Sequence, residues 1–356
     1  MSQKLLEKEK EVWIFYKFSM KRILLLFLLL TLSNSFAQVV KGRVFDENKQ
    51  PLPGANIYFD GTTIATISDE NGNFTLSYGS KLNSILAISF IGYQTQFLNN
   101  FNSDKELIIY LKIATNSLNE VVIKKDRFSR KQKLQLFREQ FLGRTATAKK
   151  AKILNEDDIY FDYDEVTKTL KAYSDKPLLI KNDLLGYKIT YELVDFEANF
   201  YQLSIESTHV ERCFYAGLTR FEEVNSDKKI IKLREECYKG SQLHFFRTIA
   251  SKSWEKENFR LYVGRLPVNP LQHFLITNDK GNTKVQVKKQ TQQLTKSVAI
   301  FSVLYNEKLQ SKMILETESF YIDKYGINSN IEDIVFSGYM SDQKVGEMLP
   351  VNYGIE

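Results

Sequence analysis

The sequence predicts a mainly β chain in two parts, a seven-stranded β-sandwich near the N-terminus and a larger antiparallel α+β domain after it. Short strand-like runs fill positions 39–112, divided by turn residues, and return after Asn155, while helical periodicity marks two places, one within 124–152 and one from Ser241 to about Lys256. Composition agrees, because 356 residues with 43% hydrophobic and 26% charged side chains make a globular chain long enough for two cores. The 19 Tyr outnumber the 16 Gly and 6 Pro, which suits half-buried sheet surfaces more than flexible linkers. The expected organisation is an N-terminal extension and signal peptide over 1–37, the sandwich over 38–113, a linker with a basic amphipathic helix over 114–152, and the α+β domain over 153–356.

Met20-Lys21-Arg22, the apolar run Ile23 to Leu32, and Ser35 and Ala37 have the three parts of a secretory signal, with cleavage expected between Ala37 and Gln38. The apolar run is about half of the roughly 20 residues a spanning helix needs, so an uncleaved membrane anchor is the lesser reading. Residues 1–19 read either as lying upstream of a start at Met20 or as an extended positive region. No Cys follows the cleavage position, so no lipoprotein anchor is expected there. The formal charge is +6, but residues 1–37 hold six basic and three acidic side chains, which leaves the rest near +3. That is far from the basic footprint of a nucleic-acid binder.

The sandwich strands are read from VVKGRVFD, ANIYFDG, TTIATISD, GNFTLSY, SILAISFIG, YQTQFL and ELIIYLK, with Pro51, Pro53-Gly54 and Asn71-Gly72 as turns. Asn71-Gly72 predicts a tight hairpin between the runs that flank it. Asp69 to Asn73 looks superficially like a calcium loop, but its Gly falls at the fourth position and Ser80 stands at the twelfth, so turn chemistry is preferred.

Gly42-Arg43-Val44, Pro51 to Ile57, Gly61-Thr62, Ser68 to Phe74 and Ile88 to Tyr93 together resemble the carboxypeptidase-regulatory-like (transthyretin-like) domain. Leu118-Asn119-Glu120-Val121-Val122-Ile123 resembles the segment that follows this domain at the start of starch-utilisation-type TonB-dependent receptors. A receptor barrel of about 22 strands needs more chain than follows Ile123, so the sequence is not expected to be such a receptor. The later region is similar to the companion domain of envelope proteins of unknown function that carry the same sandwich. That likeness lies in Phe141-Leu142-Gly143, Ile153-Leu154-Asn155, Leu185-Gly186-Tyr187, Arg234, Tyr238 to Ser241 and His244-Phe245. The resemblance implies a role in the Gram-negative envelope and brings no activity with it.

Residues 124–152 hold 11 Lys or Arg against Asp126 and Glu139, and Leu134, Phe137 and Phe141 recur at helical spacing. One amphipathic helix with a basic outer face follows, either docking on acidic glycans or lipid phosphates or, as is commoner for charge runs, simply solvated. Cys213 and Cys237 flank what reads as a hairpin turning at Ser226-Asp227. They are either a disulfide, which an oxidising compartment permits, or two separate buried thiols. A helix is expected from Ser241 to about Lys256, with Ser241 as its cap and Leu243, Phe246, Ile249 and Ala250 on one face.

No catalytic or metal motif emerges. None of His209, His244 and His273 begins the His-x-x-Glu pair of a zinc carboxypeptidase, and no Gly-x-Ser-x-Gly elbow or Cys-x-x-Cys pair occurs. The acidic set Glu156, Asp157, Asp158, Asp162, Asp164 and Glu165 reads as strand-edge solvation better than as paired catalytic carboxylates. Arg234, Tyr238, His244 and Arg247 form the densest polar group, able to recognise a carboxylate or phosphate or, more simply, to tie helix to sheet. The expectation is an exported, cofactor-free, non-catalytic binding or assembly module of the periplasm or outer membrane, partnered by another envelope protein or a glycan. The competing class is a periplasmic hydrolase with its site in the second domain, which a pocket joining His244 to a carboxylate would favour.

Overall fold

The computed structural model describes residues 37–79, 84–98, 101–102, 105–114, 127–290 and 297–355. The segment read as a secretory signal, before Ala37, and the run Leu118 to Ile123 lie outside the described residues. Ala37 and Gln38 are the first two residues of strand β1 (Ala37–Phe45).

Seven strands build the first unit: β1, β2 (Asn56–Phe59), β3 (Ala65–Ile67), β4 (Asn73–Gly79), β5 (Leu86–Ser89), β6 (Gln96–Leu98) and β7 (Leu107–Tyr110). They form two sheets, ordered β4-β1-β7 and β3-β2-β5-β6. Period-two alternation puts Val40, Val44, Ile57, Phe59, Leu76, Leu86 and Ile88 between the sheets, all 2% exposed or less. Gly42 sits where the Phe74 ring crosses the strand, and a Cβ there would stand 2.7 Å from the ring.

The Asn71-Gly72 hairpin is not formed. β3 pairs with β2 and β4 with β1, so the turn carries the chain from one sheet to the other. The turn chemistry itself is present: Gly72 has φ +77°, and the Asp69 carboxylate accepts from the backbone N–H of Asn71 and Asn73 at 2.9 and 2.8 Å.

The next core is built by helix α1 (Arg130–Phe141) on a six-stranded sheet of β8 (Lys152–Ile153), β9 (Ile159–Asp164), β10 (Thr169–Ser174), β11 (Leu178–Asn182), β12 (Tyr187–Phe200) and β13 (Val210–Glu223). Ser129 and Gln132 make a capping box at the start of α1, and Phe137 and Phe141 are fully buried against Phe161, Tyr191, Phe196 and Tyr215. The expected single helix to Lys152 stops at Phe141. Gly143 at φ +108° breaks it, and only a 3-10 turn at Ala148–Lys150 follows. Nor is its basic face wholly outward, since Lys133 is 2% exposed.

The expected second hairpin arm is a helix, α2 (Lys228–Tyr238). Asp227 caps it by accepting from Lys229 and Ile230, and Ile230, Arg234 and Cys237 fall on its buried side. The hairpin of this region is the long β12–β13 pair before it.

A third cluster of buried side chains surrounds α3 (Gln242–Ser251), with Phe245, Phe246, Ile249, Trp254, Phe259, Phe301 and Phe320 at its centre. Its walls are two sheets. The five-stranded one is ordered β15-β14-β18-β19-β21 and joins β14 (Phe259–Val263), β15 (Leu266–Val268), β18 (Ala299–Tyr305), β19 (Leu309–Leu315) and β21 (Ile334–Gly338). The other joins β16 (Phe274–Asp279), β17 (Asn282–Val287) and β20 (Ser319–Ile322). Short helices α4 (Pro270–His273) and α5 (Tyr339–Asp342) complete it. α3 ends at Ser251 rather than near Lys256, because Lys252 turns into the left-handed region at φ 56°.

Phe137→Ala empties a site with aromatic neighbours at ring distances of 4.9, 5.7 and 4.7 Å and is expected to destabilise by about 3–5 kcal/mol. Urea unfolding followed by tyrosine fluorescence checks it. A loss below about 1 kcal/mol would contradict this packing.

Candidate functional site

The structure brings together three of the four residues picked out as a polar cluster. Tyr238 at the end of α2 lies 4.8 Å from the His244 ring on α3, and its hydroxyl accepts from Arg247 Nη1 at 3.2 Å. Arg234 is directed elsewhere. It is 3% exposed, stacks 3.9 Å over Tyr187, and donates to the carbonyls of Leu185 and Asn225 and to the Glu223 carboxylate at 2.7, 2.7 and 2.5 Å.

His244 is buried beside Phe259 and Tyr305. Its Nδ1 accepts from the Gly240 backbone N–H at 3.1 Å, which leaves Nε2–H to donate to Glu257 Oε2 at 3.1 Å. Burial holds its pKa below the ordinary value, with Glu257 opposing. With both ring nitrogens engaged, neither faces a substrate as a base. Arg247 is used up in the same way: Nε donates to Tyr325 O at 2.9 Å, Nη1 to Tyr353 O at 2.8 Å and Nη2 to Val351 O at 2.7 Å. The cluster can therefore hold three chain segments together, whereas a carboxylate or phosphate would have to displace those carbonyls.

Several of the other sequence candidates also have local partners. Ser241 Oγ accepts from His244 N at 3.1 Å as a helix cap. Asp164 accepts from Val166 and Thr167 in a turn, Asp158 pairs with Lys176, and Glu156 pairs with Arg138. Cys213 on β13 and Cys237 on α2 are free thiols at the same core, pushed up by burial to about 11 and about 12. Ser204 Oγ lies 2.7 Å from His209 Nδ1, a contact the sequence did not disclose. Glu206 faces that same nitrogen at 3.8 Å, so the acid cannot orient the ring from its far side as a catalytic triad requires. Among the described residues no group of three His, Cys, Asp or Glu is placed to hold a metal ion.

What the sequence missed is a joint between the sandwich and the β12–β13 hairpin. Tyr58 and Ala87 point away from the sandwich core yet are 4% and 0% exposed, because β12 and β13 cover that face. The β2–β3 turn runs along the outer edge of β13: Gly61 N donates to Thr219 O at 2.7 Å and Phe221 N to Thr62 O at 3.1 Å. Asp60 Oδ1 accepts from Thr219 N at 2.6 Å, and Arg220 donates to Asn56 Oδ1 at 2.8 Å. Burial lifts Asp60 to about 6, and burial raises Glu192, which accepts from Thr95. Tyr325 enters the sandwich core from the third cluster, and Val351 N donates to Gly61 O at 2.7 Å. The only signal for this in the sequence is Tyr58, a bulky aromatic on the side of β2 that alternation assigns to solvent.

Residues 40–123 match the family model described as CarboxypepD_reg-like domain. The chain is 44% identical over 92 residues to TonB-dependent receptor SusC of Bacteroides thetaiotaomicron, covering 25% of this chain and 9% of that one. It is 36% and 33% identical to TonB-dependent receptors P39 and P3 of Formosa agariphila, covering 28% and 29% of this chain and 10% of each receptor. The chain thus spans about a tenth of the length of the curated relatives it matches.

Arg247→Ala is expected to destabilise by roughly 2–4 kcal/mol and to expose the C-terminal segment to protease, because buried carbonyls lose their donor. Limited proteolysis read by intact mass tests it; cleavage no faster than in the parent chain would count against the clamp. Neither Cys213 nor Cys237 should react with iodoacetamide in the folded protein, and both should react on unfolding. If the unfolded, unreduced chain stays unlabelled, the thiols are joined.

Proposed function

We propose that this chain is a non-catalytic binding or assembly module of the Gram-negative outer envelope, serving another envelope protein or a glycan. The observation that carries the reading is how the sandwich is used. One outer face is covered by the chain's own β12–β13 hairpin, while the face of the β1–β7 pair stays open. There Arg43 lies opposite Ile108 and Phe45 opposite Tyr110, with Ile108 50% and Tyr110 48% exposed. Arg43 sits 4.9 Å over Phe45, which stacks at 5.6 Å on Tyr110. An arginine flanked by aromatic and aliphatic side chains is the composition of binding hot spots.

The relatives named TonB-dependent receptors support an envelope setting, and the secretory pattern at 20–37 supports export to the periplasm or outer membrane. No helix among the described residues is long and apolar enough to cross a membrane, which leaves strand-mediated association untouched. The hydrolase alternative finds its best footing in the His244–Glu257 pair, but that pair has no free ring nitrogen to offer.

Affinity purification of the tagged protein from crosslinked native envelopes should recover one dominant outer-membrane protein or glycan. Ile108→Asp with Tyr110→Asp should lower that recovery at least about tenfold with little change in melting temperature, since both side chains are exposed. A free monomer that brings nothing with it would sink the binding reading and turn attention to hydrolase screening.

A further inference from the structure

The joint described above carries an inference that does not depend on the identity of any partner. Two carboxylates, Asp60 on the β2–β3 turn and Glu192 on β12, are half-buried at one interface between separate cores. The groups facing them are Tyr58 from β2, Tyr191 from β12 and Arg220 from β13. One guanidinium therefore stands against two acids, and it is already directed to Asn56 at 2.8 Å. Asp60 keeps its backbone donor Thr219 N and Glu192 keeps Thr95, so each acid is oriented, but the negative charge is not neutralised.

We propose that this joint is an acid-tightened latch, in which protonation of Asp60 and Glu192 strengthens docking of the sandwich on the β12–β13 hairpin. When the faces separate, both carboxylates return to water and to ordinary acidity. A group whose acidity is weaker docked than undocked favours docking most when protonated in both states. For Asp60 that gain is complete below about 3.8 and is lost as pH rises through about 6. Raised Glu192 works in the same direction. His244 works in the opposite one: buried and held neutral, it favours the fold at higher pH and weakens it on protonation. A global melting curve therefore mixes two opposed effects, and the latch has to be read locally.

Hydrogen exchange on the full chain, followed by mass spectrometry, gives that local reading. After correction for intrinsic exchange, peptides over 56–64 and 216–222 should exchange at least about tenfold more slowly at pH 4.5 than at pH 7.5, one acidity unit of linkage being tenfold. The β18 peptide over 299–305, inside the third core, serves as the reference. Asp60→Asn retains the Oδ1 acceptor for Thr219 and should remove most of the difference; adding Glu192→Gln should remove the remainder. Equal corrected rates at the two pH values in the parent chain would overturn the latch. So would a pH difference that survives in the Asp60→Asn, Glu192→Gln chain or, if the pair fails to fold, one that is undiminished in Asp60→Asn alone.

Discussion

Arg247 is the point at which segments from all three cores meet. It leaves α3 in the third cluster, touches Tyr238 at the end of α2, and donates to the backbone of Tyr325, Val351 and Tyr353. Those carbonyls belong to the two segments that reach the sandwich, where Tyr325 is buried in its core and Val351 and Ile355 pack against it. A planar fork with several fixed donors can satisfy carbonyls arriving from different directions, which a single ammonium on a flexible stem cannot do. The same segment is pinned upstream, where Asn182 donates to Gly346 O at 2.8 Å and Gly346 N donates to Leu142 O at 2.9 Å.

This explains why a cluster that the sequence reads either as a ligand site or, more simply, as a tie between helix and sheet is occupied by the chain itself. Arg, Tyr and His gathered over a few turns of helix carry the same chemistry whether they hold a ligand or a loop. Only the partners decide between the two. Here they are backbone carbonyls and Glu257, and the sequence does not say where those carbonyls fold to.

The sandwich was the most legible part because β1 and β4 alternate and Pro51, Pro53-Gly54 and Asn71-Gly72 mark turns. Val40, Val44, Ile57 and Phe59 fell inside as alternation requires. Local signals misled where they are shared between structures. Ser226-Asp227 reads equally as a hairpin turn and as a helix cap, and the i, i+4, i+7 spacing of Ile230, Arg234 and Cys237 was obscured because the middle residue is charged. Asn71-Gly72 specified its own turn correctly but not which strands it joins, since pairing partners are set by the whole sandwich. The joint was illegible because Asp60, Glu192 and Arg220 lie far apart in the chain and each, taken alone, reads as a surface charge.

Burying acids at such a joint has a cost that an apolar interface would avoid. Asp60 retains it because its carboxylate aligns the turn: with Oδ1 on Thr219 N, Gly61 N meets Thr219 O and Phe221 N meets Thr62 O, and the exposed edge of β13 is closed. An apolar side chain at 60 would leave Thr219 N without a partner. The charge is thus a consequence of specifying register with a short side-chain acceptor, and its titration follows from the same geometry that fixes the docking.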